Sequence, residues 1–148
     1  MSGRFVQFTI RALDRCAAAL LPPSQRAAHL ETGSRGEDDA YFYLRRQGYV
    51  VVARNWRTPR RHGELDLVAW DKDVLCFIEV KTRSSRAFVP AEAAVDEAKQ
   101  HDLLAVARDY LRRVEGRPPT RFDVLSIYYE NPGKTADITL FKAAFPMS

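Results

Sequence analysis

The chain has 148 residues, 46% of them hydrophobic and 28% charged, with a formal net charge of +4 and no internal repeat or low-complexity tract, which fits one globular domain and excludes a repeat array or a disordered polymer. The two cysteines, Cys16 and Cys76, sit in no CxxC pair and beside no clustered histidine, which argues against a zinc site. With no export signal ahead of them, they favour a reducing cytoplasm.

Phe5 to Leu21 is apolar in places, but Arg11, Asp14 and Arg15 interrupt it, so it is neither a signal core nor a membrane span, and no membrane partner is expected. The spacing of Phe5, Phe8, Ala12, Cys16 and Leu20 suits a short amphipathic helix, read as a docking appendage in preference to a membrane-surface or partner helix. Residues 1–28 are therefore set apart as an N-terminal helical extension, and residues 29–148 as the main domain.

Ser34 to Gln47 reads as a helix, with Ser34 and Glu37 in capping-box spacing and Gly48 as its stop. Glu37, Ala40, Tyr41 and Leu44 share one face, which puts Glu37 on the sheet-facing side of the first turn. Tyr49 to Arg57 is a strand, Thr58 to His62 a polar loop, and Gly63 to Lys81 a β-hairpin. Pro90 opens a helix running to about Arg113, with Val95, Leu103, Val106 and Tyr110 on one face and Lys99 in its middle. Arg121 to Tyr129 and Asp137 to Phe145 are the last strands, separated by an Asn131-Pro132-Gly133 turn. The fold class expected from this order is α/β: a mixed sheet of about five strands flanked by helices, in the order helix-β-β-β-helix-β-β, behind an extra N-terminal helix.

The hairpin carries the chemical signal. A turn centred on Lys72 and Asp73 places Val68 opposite Phe77, Trp70 opposite Leu75, Asp66 opposite Glu79 and Glu64 opposite Lys81, all on one face. The reverse face carries Leu65, Leu67, Ala69, Val74, Cys76, Ile78 and Val80 and no polar side chain. Both faces thus read as covered, and ionisable groups gathered at one end of such a sheet must be paired, neutralised or bound to a cation. A slip of one residue would separate Asp66 from Glu79.

Basic residues bracket this acidic cluster. Arg54, Arg57, Arg60 and Arg61 precede it, and Arg83 and Arg86 follow Lys81. An acidic pocket within a basic rim suits a cation-requiring site that acts on a phosphate backbone. The bland alternative is a structural ion-pair cluster at a sheet end; three ionisable groups converging within apolar strands favour the functional reading. Glu37 is open between a ligand and a mere capping-box acid, and Lys99 between a phosphate contact and a snorkelling lysine. Glu64 is read as pairing with Lys81, Trp56 as core, and Arg57 as a phosphate contact.

An Asp in a sheet hairpin, followed after twelve intervening residues by Glu-x-Lys and preceded by a helix with an inward Glu, resembles the PD-(D/E)xK, or restriction-endonuclease-like, nuclease superfamily. More closely, the chain looks like the YraN-like family of small uncharacterised bacterial proteins, on Gly36-Glu37 with Ala40, Asn55-Trp56-Arg57, Gly63-Glu64-Leu65-Asp66-Leu67, Glu79-Val80-Lys81-Thr82-Arg83 and Phe122-Asp123-Val124. The resemblance covers roughly residues 30–145. Two departures, the absence of a Pro before Asp66 and Val89-Pro90 in place of a Gly-containing turn, remove no ligand.

The resemblance implies a divalent-cation-dependent phosphodiesterase using Mg²⁺ or Mn²⁺. Asp66 and Glu79 would be ligands, the Val80 carbonyl would complete the shell, Lys81 would stand near the attacking water, and Glu37 would be an auxiliary ligand or water-positioning acid. Arg57, Arg60, Arg61, Arg83, Arg86 and Lys99 would contact the nucleic acid. The expected activity is that of a DNA endonuclease, with branched or structured DNA among its candidate substrates, and homodimers are common among such folds. A nucleic-acid-binding module that keeps the fold without catalysis is the alternative, and an interaction protein acting through its N-terminal helix a third reading.

Overall fold

The computed structural model describes residues 23–83, 95–131 and 133–147. The expected helix over Phe5–Leu21, Arg86 and the Pro90 helix start lie outside the described residues. The chain divides into two compact units, Met1–Arg35 and Gly36–Ser148, and the sheet and the candidate site belong to the second. Among the described residues no helix is long and apolar enough to cross a membrane.

The elements run α1 (Pro23–Arg46), β1 (Val50–Trp56), β2 (Leu65–Asp71), β3 (Val74–Arg83), α2 (Glu97–Leu111), β4 (Thr120–Tyr128) and β5 (Asp137–Phe145). This is the order read from the sequence, with one correction at a helix start. Ser34 lies inside α1 and is not its cap, because the helix already begins at Pro23. Gly33 and Gly36 weaken a helix by about 1 kcal/mol each relative to Ala, but they do not end this one.

At the other end the expected stop holds. Gly48 takes φ +90°, its amide bonds to the Arg45 carbonyl at 3.1 Å, and the Tyr49 amide bonds to that of Leu44 at 3.0 Å. This is a Schellman closure, and Leu44 and Tyr49 meet in the same core cluster. In α2 the cap is Asp96, whose side chain accepts from the Lys99 amide, satisfying one of the orphan donors of the first turn.

The five strands are ordered β1-β2-β3-β4-β5. All neighbours pair antiparallel except β3 and β4, which run parallel; α2 supplies the crossover that parallel pairing needs. One face packs Leu67, Ala69, Cys76, Ile78, Leu125 and Ile127 against Ala40 and Leu44 of α1. The other packs Val68, Phe77, Phe122 and Val124 against Leu103, Val106 and Ala107 of α2. Burying the central strands β2, β3 and β4 on both sides explains why they read as near-continuous apolar runs, whereas the edge strands β1 and β5 alternate with exposed residues.

The buried stripe of α1 is Gly36, Ala40 and Leu44 with Tyr43 beside it, where the helical spacing had placed Glu37 and Tyr41. Tyr41 instead lies at the side of the helix, in edge contact with Phe42 and beneath the guanidinium of Arg54. Gly36 explains the shift. A Cβ built on it would lie 2.0 Å from Thr82 Cγ2, so the helix meets β3 at the residue with no side chain.

Candidate active site

The hairpin register is the expected one from Asp71↔Val74 through Val68↔Phe77 to Leu67↔Ile78. Lys72, at the turn, has φ +54°. Beyond Ile78 the ladder between β2 and β3 lapses, and the Val80 amide donates to Asp66 Oδ2 at 2.8 Å. Freed from that ladder, Leu65 packs into the cluster on the α2 side, a correction to its assignment to the reverse face.

Asp66 and Glu79 lie one step beyond the last ladder pair, Leu67↔Ile78, and within electrostatic reach of each other. Burial, and secondly the Glu79 charge, raise the pKa of Asp66 well above the ordinary range, against the lowering effects of the Val80 amide and Lys99. Glu79 is only 4% exposed. Its Oε1 receives Lys81 Nζ at 3.1 Å and Lys99 Nζ at 3.4 Å, while its Oε2 is buried with no hydrogen-bond partner. Buried carboxylate oxygens are seldom left so, and a bound cation is one partner that would satisfy this one.

The residues fit a hard divalent ion. Among the described residues no three His, Cys, Asp or Glu side chains converge as a ready-made ligand cluster, but Mg²⁺ needs only one or two carboxylates and keeps several waters. In a strand the N–H and C=O of one residue point to the same side, so the Val80 carbonyl faces the gap that its amide and Asp66 share. Asp66, Glu79 and Val80 are therefore the group that would hold the ion.

Glu37 is fastened elsewhere. Its Oε2 accepts from Asn55 Nδ2 at 3.0 Å, and Asn55 takes φ +48°, a region Asn tolerates better than most residues. Glu64, expected to meet Lys81 across the strands, instead holds Arg57 Nε at 2.6 Å, because the 57–64 loop folds back on itself. That loop is also tied to α2. Asp109, 7% exposed, accepts from Thr58 Oγ1 at 3.5 Å and lies 3.9 Å from both Arg61 and Arg112.

The basic residues differ in placement. Arg57 and Arg61 remain largely exposed, at 74% and 51%, and Arg60 is exposed beside them. Arg83 turns back to donate to the Thr82 carbonyl at 2.9 Å. Trp56 packs as core, edge-on to Tyr110 with Arg113 over its ring. Asp109 escaped the sequence reading, and Asn55 entered it only within the Asn55-Trp56-Arg57 stretch, with no partner assigned. Each had left a sign: Asn55 is polar within a valine-rich strand, and Asp109 falls three residues beyond Val106 on the apolar stripe of α2.

Residues 36–127 match the model of a family described as uncharacterised protein family UPF0102. A UPF0102 protein of Koribacter versatilis is 49% identical over 144 residues, covering 97% of this chain and 96% of its own. Another, from Solibacter usitatus, is 48% identical over 118 residues, covering 79% and 84%. A third, from Methylibium petroleiphilum, is 44% identical over 121 residues, covering 78% and 94%. The matched segment spans the Gly36 approach, both acids and both lysines, and the chain belongs to this bacterial family, UPF0102 or YraN-like.

Proposed function

We propose that this protein hydrolyses phosphodiester bonds in nucleic acid, as a DNA endonuclease dependent on Mg²⁺ or Mn²⁺. The observation that carries the reading is the buried, unpartnered Oε2 of Glu79 beside an Asp66 whose proton affinity is raised, with Lys81 on the same oxygen cluster. A divalent ion held by Asp66, Glu79 and the Val80 carbonyl would polarise the phosphate and lower the pKa of a bound water.

The chain's own groups do the remainder. A water oxygen attacks phosphorus and gives up its proton to solvent as the bond to the leaving oxygen breaks, that oxygen takes up a proton from solvent, and negative charge grows on the phosphate oxygens in between. Lys81, two residues beyond Glu79 and on its face of β3, can donate to the attacking water or to those oxygens. Burial on both faces of the sheet lowers the local dielectric and strengthens that contact. The exposed arginines of the 57–64 loop would hold the backbone through its phosphates, which carry no sequence information.

Labelled duplex and junction DNA incubated with the protein and Mg²⁺ or Mn²⁺ should be nicked, and Glu79→Ala or Lys81→Ala should lower the rate by on the order of 10²–10³-fold. Equal rates in wild type and both variants would reject the assignment of the site. The second reading, a binding module without catalysis, draws on the contacts of Lys81 and Lys99 with Glu79, which neutralise the acid without any cation. It requires salt-sensitive binding and no cleavage on duplex, junction, single strand or RNA.

A further inference from the structure

Two ammonium groups approach one oxygen of Glu79 although one suffices to balance its charge. They come from different layers. Lys81 stands on β3, fixed beside Glu79 by the strand, whereas Lys99 reaches across from the first turn of α2. Its contact is the longer, 3.4 Å against 3.1 Å, and its side chain is the more exposed, 27% against 20%.

Lys99 also acts on Asp66, whose carboxylate form it favours. One ammonium therefore serves both acids, which is the electrostatic place a divalent ion would take. A lysine is a compact charge on a flexible stem, and a doubly charged ion between the same carboxylates would repel it. Its stem leaves it room to turn toward solvent, where the exposed arginines present the same sign of charge to a phosphate.

We infer that Lys99 is an exchangeable placeholder: it neutralises Asp66 and Glu79 until a divalent cation binds them, then swings out to contact a phosphate of the nucleic acid. This rests on the reading of Asp66 and Glu79 as cation ligands. Cation and nucleic acid then bind cooperatively through one side chain, each raising the affinity for the other by the same factor. Lys99 is in this sense a positioning residue that becomes a substrate contact.

The test uses the full chain and needs no turnover. Mn²⁺ is titrated calorimetrically without nucleic acid, and a labelled DNA duplex is titrated by anisotropy with and without Ca²⁺, for wild type, Lys99→Met, Lys99→Gln, Lys99→Arg and Glu79→Gln. Lys99→Met and Lys99→Gln should bind Mn²⁺ on the order of tenfold more tightly than wild type and lose most of the Ca²⁺-dependent gain in duplex affinity. Lys99→Arg should keep that gain, and thermal melting shows which variants are folded. Glu79-dependent Mn²⁺ binding that is unchanged or weaker in both neutral variants overturns the placeholder role and leaves the hydrolytic reading standing. Absence of any Glu79-dependent Mn²⁺ binding in wild type overturns the hydrolytic reading, and the placeholder with it.

Discussion

The Val80 amide donates to Asp66 Oδ2 across 2.8 Å, at the point where the β2–β3 ladder ends with Leu67↔Ile78. A backbone donor released from the sheet thus fixes a carboxylate beside Glu79. The bond restrains Asp66, but it does not offset the burial and like charge that raise its pKa. The pair is held together at an electrostatic cost, as sites prepared for a cation commonly are.

That cost is measurable. A carboxyl whose folded-state pKa lies above its unfolded value binds more protons in the folded state, so stability falls as pH rises through the interval between the two and stays lower above it. Asp66→Asn keeps an acceptor for the Val80 amide and removes the charge. Without divalent cation it should stabilise the protein at neutral pH by on the order of 1 kcal/mol, and the gain should shrink to nothing as pH falls toward about 4, the ordinary aspartate range. Thermal melts across that range decide it: equal melting temperatures for wild type and variant at neutral pH would remove the claim of electrostatic load.

Gly36 tests the helix–sheet approach beside Lys81. In an open helix, Gly→Ala gains about 1 kcal/mol. Here the added Cβ would lie 2.0 Å from Thr82 Cγ2 and 3.3 Å from Thr82 Cβ, and a β-branched side chain on a strand has little freedom to yield. Gly36→Ala should be destabilising by about 1–3 kcal/mol, the range for overpacked sites. Thr82→Ser deletes the offending methyl and should recover most of the loss in the double variant. Additive effects of the two substitutions in denaturant melts would show that they do not meet.

The fold and the pairing of the two acids were legible because they follow from alternation. Once the turn sat at Lys72 and Asp73, period two put Asp66 and Glu79 on one face. What alternation could not show was where it stops: Leu65 changes sides because the ladder lapses above Ile78, a consequence of Asp66 taking the Val80 amide. Glu64 found Arg57 rather than Lys81 because a loop folded back, and loops carry no periodicity. Ser34 carried a true capping signature inside a helix that had already begun, since a cap is a local preference and helix extent is settled by packing. Lys99 was visible on its apolar stripe, but its reach to Glu79 depends on how α2 crosses the sheet.

At the opposite end of the sheet a second network makes an acid-stability prediction. Asp71 accepts from Arg121 Nη2 at 2.8 Å and from Lys142 Nζ at 3.0 Å, which together lower its pKa from 3.8 to about 2. Arg121 is held in turn by the fully buried Asp123 and by the Tyr49 hydroxyl, so the network joins β2, β4, β5 and the residue just before β1. A depressed carboxylate contributes stability that is present above its ordinary pKa and lost as pH falls toward the folded one. Asp71→Asn should therefore be destabilising at neutral pH, with the difference from wild type closing as pH drops from about 4 to about 2. A gap between the two proteins that stays constant across that interval would mean the loss comes from packing and not from charge.

The basic loop offers a test in which charge and geometry predict opposite signs. Arg57 and Arg61 are steadied at one end by Glu64 and Asp109 and otherwise face solvent. If they contact phosphates, Arg57→Ala, Arg60→Ala and Arg61→Ala should each flatten the slope of log K against log salt for a DNA duplex by about one or less. Asp109→Asn is the informative variant. It makes the protein more positive by one charge, so an interaction governed by net charge alone would tighten. Asp109 is also the buried acid to which Thr58 donates and which Arg61 and Arg112 approach. Losing its charge should loosen the loop, disperse the arginines and weaken duplex binding by several-fold, about 1 kcal/mol for a hydrogen-bonded network of this kind. Anisotropy titrations over a range of salt separate the cases: weaker binding with a shallower slope supports a positioned cation platform, and tighter binding with an unchanged slope reduces the rim to unspecific charge.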